Sequence, residues 1–411
     1  MSKKLLIIGL VWPEPSATAA GSRMLQLITF FLSKEYQITF ASTAQESEHT
    51  LDLSSLGLQK ESIQLNHGSF DDFIQKLNPS IVLFDRFITE EQFGWRVSKY
   101  TPDAVRILDT EDLHSLRTAR KEAFKSKTTF TVDKWLQHDM TKREVASIYR
   151  SDCSLIISSY EMELLLQHTK MPAHILMHLP FQLSKIDAQT KKEWISFENR
   201  TDFICIGNGK HAPNIDAFLW LKNEIWPLIR KKMSTAKVHI YGAYLPQHIM
   251  EMHKPSEGFY VHGRVVDAKK MMVKSRLNLA PLRFGAGIKG KLVESMLCGT
   301  PSITTNIGAE GMHQELSWNG SIVDEPQEFA NAAVELYQNQ EKWNQAQENG
   351  AFIINKLYDK TILDPILSAK INVLENNLEN HRQQNFIGTL LNHHTMASTT
   401  YMSRWIAEKN K

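Results

Sequence analysis

Short apolar runs separated by amphipathic stretches set the strongest limit on how this chain can fold. Leu5 to Leu10, Gln37 to Ala41, Ile81 to Asp85, Val105 to Asp109, Ser154 to Ser158 and His174 to Leu179 all have strand length and strand composition. Between them lie stripes at helical spacing, such as Met24, Leu27, Ile28 and Phe31, or Phe70, Phe73, Ile74 and Leu77. Strands that alternate with helices in this way predict a parallel, doubly wound α/β sheet.

The pattern stops and then restarts. Residues 182 to 200 are polar, charged and without periodicity, which predicts an interdomain linker. A second set of strands follows at Phe203 to Ile206, Val238 to Tyr241, Phe259 to Val261, Leu277 to Leu279, Ser302 to Thr304 and Ile322 to Val323. Helices are expected at Pro213 to Met233 and Ile288 to Cys298. From Glu341 the sequence turns helical, with Phe352, Ile353, Leu357, Ile362, Ile366 and Leu367 as its apolar positions. The expected organisation is a first domain over 1–181, a second over 201–380 and a terminal helix over 381–411.

Composition fits that size. A chain of 411 residues, 42% of them hydrophobic, buries enough surface for two domains. Its 47 basic and 45 acidic residues nearly cancel, so no global field recruits nucleic acid or an anionic membrane. Cys153, Cys205 and Cys298 are far apart, lie in or beside apolar runs and lack metal-ligand spacing; they read as reduced core residues, which favours the cytoplasm. The apolar run at Leu5 to Trp12 is too short for a signal peptide, and no run approaches the length of about 18 residues that a membrane span needs. His248, His253, His393 and His394 have no partners at ligand spacing and read as ordinary polar residues.

The densest chemistry lies between Leu279 and Pro301. A strand over Arg276 to Leu282 runs into a glycine-containing turn, Arg283 to Gly287, and then into the helix that Gly299 and Pro301 stop. A helix that opens from such a turn aims unpaired N–H groups and its positive dipole end at whatever lies above, and Arg283, Lys289 and Lys291 add charge. A phosphate is the natural guest. The same glycines also suit close packing alone.

The run Ala280-Pro-Leu-Arg-Phe-Gly-Ala-Gly-Ile-Lys-Gly-Lys-Leu-Val-Glu-Ser-Met, then Gly299-Thr-Pro and Ile307-Gly-Ala-Glu-Gly311, resembles the donor-site signature of the group 1 glycosyltransferases. The resemblance is to their family four-like, retaining, nucleotide-sugar-dependent members. It implies the GT-B fold: α/β, two doubly wound Rossmann-like domains facing across a cleft, here with a C-terminal helical tail. By resemblance, Glu294 holds the ribose hydroxyls, for which a carboxylate suits because it accepts from two vicinal hydroxyls at once. A solvated pair with Lys291 is the plainer reading of Glu294. Arg283, Lys289 and Lys291, with the loop at Gly285 and Gly287, would hold the diphosphate, and the cations would stand in for a metal.

Two positions depart from the family pattern. Ala286 stands where the family has a second Glu for the donor sugar, and Asn208 stands where an Arg is common. Backbone N–H groups of Phe284 to Gly287 could take over part of the work of the missing Glu. In the loop Gly207-Asn-Gly-Lys-His-Ala-Pro-Asn214 only Lys210 and His211 carry over as donor ligands, or else an Asn caps the helix. In the first half, the loop from Trp12 to Arg23 resembles the family's glycine loop, with Gly21 and Ser22 closest to the donor and Arg23 either touching phosphate or acceptor or solvated. The family's returning terminal helix would be Tyr401 to Ile406, anchored by Trp405.

Asp109-Thr-Glu-Asp-Leu-His114 follows a strand and so falls at the sheet edge where α/β proteins bind ligands. Glu111 replaces the family's His there. Asp112, Glu111 and His114, with Arg117 nearby, are the candidates to orient an acceptor hydroxyl or take its proton; a helix N-cap by Thr110 or Asp112 is the structural alternative. The reading as a whole is a cytoplasmic transferase that passes a sugar, with retention, from a nucleotide diphosphate sugar to a glycan, lipid-linked or protein acceptor. It takes no metal and no cofactor beyond that donor, and the 182–200 segment gates closure. Peripheral membrane association is compatible with the family, although no interfacial helix stands out. An inactive nucleotide-sugar-binding partner and a sugar-nucleotide epimerase or hydrolase on the same fold stay open; oligomeric state is not encoded in these signals.

Overall fold

The computed structural model describes residues 3–410, apart from the side chains at 394–397. The polar reading of His394 falls on those side chains and so lies outside the described residues. The chain divides into two compact units, one made of residues 1–119, 129–182 and 362–411, the other of 120–128 and 183–361.

The first unit is built on a seven-stranded sheet in the order β3-β2-β1-β4-β5-β6-β7. Its strands are β1 (Lys4–Gly9), β2 (Gln37–Ser42), β3 (Gln59–Ser62), β4 (Ile81–Asp85), β5 (Val105–Asp109), β6 (Cys153–Ile156) and β7 (Leu176–His178), all paired in parallel. Every residue of β4 and β5 is buried, as expected where helices cover both faces. β3 was not among the expected strands. Its sequence Gln-Lys-Glu-Ser is mostly exposed and polar, which suits an outermost strand but leaves no apolar signature.

The second unit carries a six-stranded sheet in the order β10-β9-β8-β11-β12-β13, again parallel throughout. Its strands are β8 (Thr201–Ile206), β9 (Val238–Tyr241), β10 (Phe259–Gly263), β11 (Ser275–Ala280), β12 (Ser302–Thr304) and β13 (Gly320–Ile322). The core on one face joins Phe203, Leu277, Leu279 and Ile303 to Phe218, Trp226 and Phe329. The helix expected at 213–233 is interrupted: Ala212–Trp220 and Trp226–Lys232 flank a π-helical turn at Leu221–Ile225. Pro227 has no N–H to give to a regular turn, and the extra residue of a π turn absorbs that gap.

The presumed linker is folded. From Leu183 onward it belongs to the second unit, where Leu183 exchanges backbone hydrogen bonds with Tyr358 and Lys360. Asp187 caps a short helix at Ala188–Lys192, Trp194 donates to the Leu297 carbonyl at 3.1 Å and Arg200 is fully buried. Polar composition here reflects hydrogen bonding to its own unit.

Residues 362–380, which the sequence leaves with the second domain, group with the first unit. Leu367, Ile371 and Leu374 are buried in the first core, and each such side chain contributes about 1.5–3 kcal/mol. Arg382 is tied to Asp152 at 2.7 Å and to the Ala104 carbonyl at 2.8 Å. The last helix, Phe386–Lys409, rests on the helices Phe87–Tyr100 and Asp139–Arg150. Trp405 is not its anchor, because it is 61% exposed; buried Ser403, which accepts from Arg96 at 3.0 Å, takes that place. Among the described residues no helix is long and apolar enough to cross a membrane.

Candidate functional site

In the second unit the candidate donor residues gather at the carboxyl ends of β8 and β11. The helix after β11 runs from Gly290 to Leu297, so Lys289 sits at its N-cap and not within its first turn. Gly287 has φ +64°, a backbone conformation that glycine takes at no steric cost. The loop after β8 meets a second loop so closely that a Cβ on Gly242 would lie 1.9 Å from the Gly207 carbonyl oxygen, and one on Gly209 would lie 2.1 Å from that of Tyr244. These glycines serve close approach between the two loops.

The cations are tethered. Arg283 forms a forked pair with Asp216, at 2.9 and 2.7 Å, and its guanidinium lies over Phe124 and Trp220. Lys289 Nζ donates to the Gly287 carbonyl at 2.7 Å, and Lys291 Nζ donates to Asn214 Oδ1 at 2.7 Å. Burial lowers the Lys291 pKa to about 8. Lys210 is exposed, with its ammonium 3.6 Å from the centre of the Tyr244 ring. His211, not an Asn, occupies the N-cap of the helix Ala212–Trp220, and Asn208 accepts from the Lys210 N–H.

Glu294 differs from these cations. It is partly buried and its carboxylate accepts no hydrogen bond from the described residues, while Lys291 donates to Asn214, so the plain pairing with Lys291 is absent. Burial raises its pKa; Lys269 lowers it and Asp267 raises it further. A carboxylate kept this way holds open acceptor capacity, which vicinal hydroxyls satisfy.

In the first unit a charged cluster lines the carboxyl ends of β1, β4 and β5. The neighbouring strands β1 and β4 lead off in opposite directions of the sheet order, the switch point where open α/β sheets bind ligands. Arg23 is buried and paired with Asp109 through Nε at 2.9 Å and Nη2 at 2.8 Å, while Nη1 donates to the Leu179 carbonyl at 2.8 Å. It is therefore neither solvated nor a loose phosphate ligand. The Gly21 N–H is given to Thr18, and a Cβ at Gly21 would lie 2.4 Å from the Glu14 backbone, so this glycine serves packing. Ser22 donates to the Pro15 carbonyl.

Arg86 and Glu111 both have left-handed backbone, φ +72° and +62°, a cost of order 1–3 kcal/mol that clusters at functional sites. Burial, then the charges of Asp109 and Asp85, push the Glu111 carboxyl well above the usual range. Asp112 pairs with Arg117 at 3.0 Å and with His114 at 3.3 Å.

The helix that follows runs from His114 to Lys125. Thr110 donates to the Leu155 carbonyl. The free N–H groups of His114 and Ser115 go to Glu144 at 2.9 and 3.0 Å, and that of Leu113 goes to Glu161 at 3.1 Å. Burial raises the Glu144 pKa to about 7. Neither carboxylate had a local signal, since each lies tens of residues downstream. Among the described residues no group of three or more His, Cys, Asp or Glu side chains could hold a metal ion.

Residues 200–339 match the family model for glycosyl transferases group 1. No curated protein sequence matches the chain. Among solved structures it is similar to TarM, at 11% identity and a TM-score of 0.69 over 90% of this chain and 99% of that one. It is also similar to Anabaena HepE in complex with UDP-glucose, at 12% identity and a TM-score of 0.65 over 90% of this chain and all of that one. An S. aureus TarM mutant in complex with Fondaparinux, alpha-GlcNAc-glycerol and UDP gives 15% identity and a TM-score of 0.56 over 74% of this chain, which spans only 58% of that one's length. Such low identities speak for the fold alone: two parallel-sheet Rossmann-like units, the GT-B architecture.

Proposed function

From the premise that this chain is a glycosyltransferase with a group 1 domain in its second unit, we propose that it takes a nucleotide diphosphate sugar, a uridine donor first among them, and passes the sugar with retention to an acceptor hydroxyl. The observation that carries this reading is Glu294, an unpartnered and partly buried carboxylate beside a glycine loop whose cations are already in place. Arg283 and Lys291 exchange their internal tethers for the diphosphate, Lys289 keeps its hold on the Gly287 carbonyl, and the three charges stabilise the negative charge that grows on the diphosphate as it leaves, without a metal ion. HepE is solved with UDP-glucose and the TarM mutant with UDP, which supports the uridine assignment.

The acceptor is handled by Asp112, Glu111 and His114. In this reading Asp112 accepts the proton of the incoming hydroxyl, and His114 and Glu111 orient it. Glycans, lipid-linked glycans and proteins all present such a hydroxyl. The buried, unpaired thiols of Cys153, Cys205 and Cys298 support a reducing compartment, the cytoplasm. Exposed Phe386, Tyr401 and Trp405 on the last helix support peripheral membrane contact.

A thermal-shift series with UDP, GDP, ADP, CMP and dTDP tests the donor assignment. At a hundredfold excess over Kd the right nucleotide adds roughly 2.7 kcal/mol to wild type. Glu294→Ala and Lys289→Ala should lose most of that gain. If no diphosphate stabilises wild type, the donor assignment fails; if the sugar nucleotide is consumed equally with and without acceptors, the transfer assignment fails.

A further inference from the structure

The glycine loop of the second unit is held from one side by a helical turn that the donor-site reading leaves unused. Arg120 is 6% exposed. Its Nη1 and Nη2 fork onto Glu310 at 2.7 and 2.8 Å, and Nη1 also donates to the Gly285 carbonyl at 2.9 Å. One turn further on, the Phe124 ring lies 5.0 Å from that of Phe284 and under the Arg283 guanidinium. A buried guanidinium is costly unless its donors are taken by well-aligned acceptors, and here a carboxylate and a carbonyl take them.

The carbonyl matters most. A trans peptide fixes the C=O of one residue and the N–H of the next in opposite directions, and no cis bond occurs among the described residues. Pulling the Gly285 oxygen toward Arg120 therefore turns the Ala286 N–H away from it. Lys289 does the same at the next-but-one peptide, where its hold on the Gly287 oxygen turns the Ile288 N–H the opposite way. Neither the Ala286 nor the Ile288 N–H has an acceptor among the described residues. The loop thus offers two fixed donors where no acidic side chain stands at 286.

We propose that Arg120 is a positioning residue of the donor site: by holding the Gly285 carbonyl it aims the Ala286 N–H at the diphosphate of a bound nucleoside diphosphate sugar. The inference rests on the donor reading above and adds to it a residue that touches no substrate. Charge grows on the diphosphate as the sugar departs, so a preset N–H strengthens in the transition state and acts on kcat more than on KM.

The experiment uses the full chain labelled with 15N-alanine. UDP is titrated into wild type and Arg120→Lys, and donor turnover is measured on both. Lysine keeps the charge but not the fork. The expected result is a UDP-induced shift of the Ala286 amide signal in wild type that is lost in Arg120→Lys. Turnover should fall about a hundredfold in kcat while donor KM stays within threefold. Glu310→Gln, which weakens the fork from its other end, should fall in the same direction by less. Wild type that binds UDP with no shift at Ala286, or Arg120→Lys with kcat within threefold of wild type, overturns the inference and leaves the donor site standing. Failure of wild type to bind UDP or any other nucleoside diphosphate overturns both. A loss confined to thermal stability, with kcat intact, reduces Arg120 to a structural tie.

Discussion

The two charged sheet edges use opposite means. In the second unit, glycines let loops meet and cations are parked on neutral or acidic neighbours. In the first unit, non-glycine residues are held in left-handed backbone and carboxylates crowd around two arginines. The difference shows that a buried charge can be stored in two ways. The basic edge holds each cation on a partner of its own; the acidic edge holds carboxylates whose pKa burial raises.

The largest test of that contrast is Asp112→Asn. It should lower transfer kcat by roughly 10²–10⁴ and leave the Kd for UDP within twofold, because it removes a proton acceptor and no donor ligand. A matching loss of UDP affinity, read by calorimetry, would merge the two edges into one binding site.

Next comes pH. The Glu144 carboxyl is held near 7 in the folded chain and near 4.5 in the unfolded one, so between those values the folded state binds more protons and stability falls as pH rises. The full effect is about 3 kcal/mol. Glu144→Gln should flatten the pH dependence of the urea midpoint between pH 4.5 and 7; an unchanged slope would place the proton elsewhere. Lys291 has the mirror behaviour. Its folded pKa of about 8 lies below its ordinary value of 10.5, the unfolded state binds more protons between them, and stability rises with pH across that window. A diphosphate should push this pKa back up. Calorimetry of UDP binding at pH 8 in buffers of different ionisation enthalpy should then show uptake of about half a proton, absent in Lys291→Met.

The smallest effect concerns the tail. Trp405→Ser should change stability by less than about 0.5 kcal/mol, since the ring is exposed, whereas Leu374→Ala should cost about 2–5 kcal/mol. Thermal melts of the two variants decide whether the tail is held by its inner leucines or by its last aromatic.

What the sequence made legible follows from local periodicity. β4, β5, β9 and β12 appear with the expected ends, because short segments rich in β-branched residues and bounded by turns have few other solutions. β3 was invisible because an edge strand needs no apolar face, and the 182–200 segment looked like a linker because its partners, Tyr358 and Leu297, are distant in sequence. The same holds at the sites. Glu294, Arg283, Lys289 and Lys291 were legible as one cluster because they share a short stretch of chain. Asp216, Asn214 and Arg120 hold that chemistry in place from elsewhere, Glu144 does the same for the backbone of His114 and Ser115 in the first unit, and a residue such as Arg120, in Arg-Thr-Ala-Arg-Lys-Glu, resembles any solvated helix face.

The pairing of Arg283 with Asp216 and of Lys291 with Asn214 has a consequence for anyone who would retune this protein. One helix turn carries both acceptors, two residues apart, and each belongs to a different cation of the glycine loop. Each cation and its own acceptor form a matched couple. A library that randomises the loop while fixing that turn will mostly sample orphaned charges; one that exchanges Asn214 with Lys291 and Asp216 with Arg283 as matched couples will sample folded proteins.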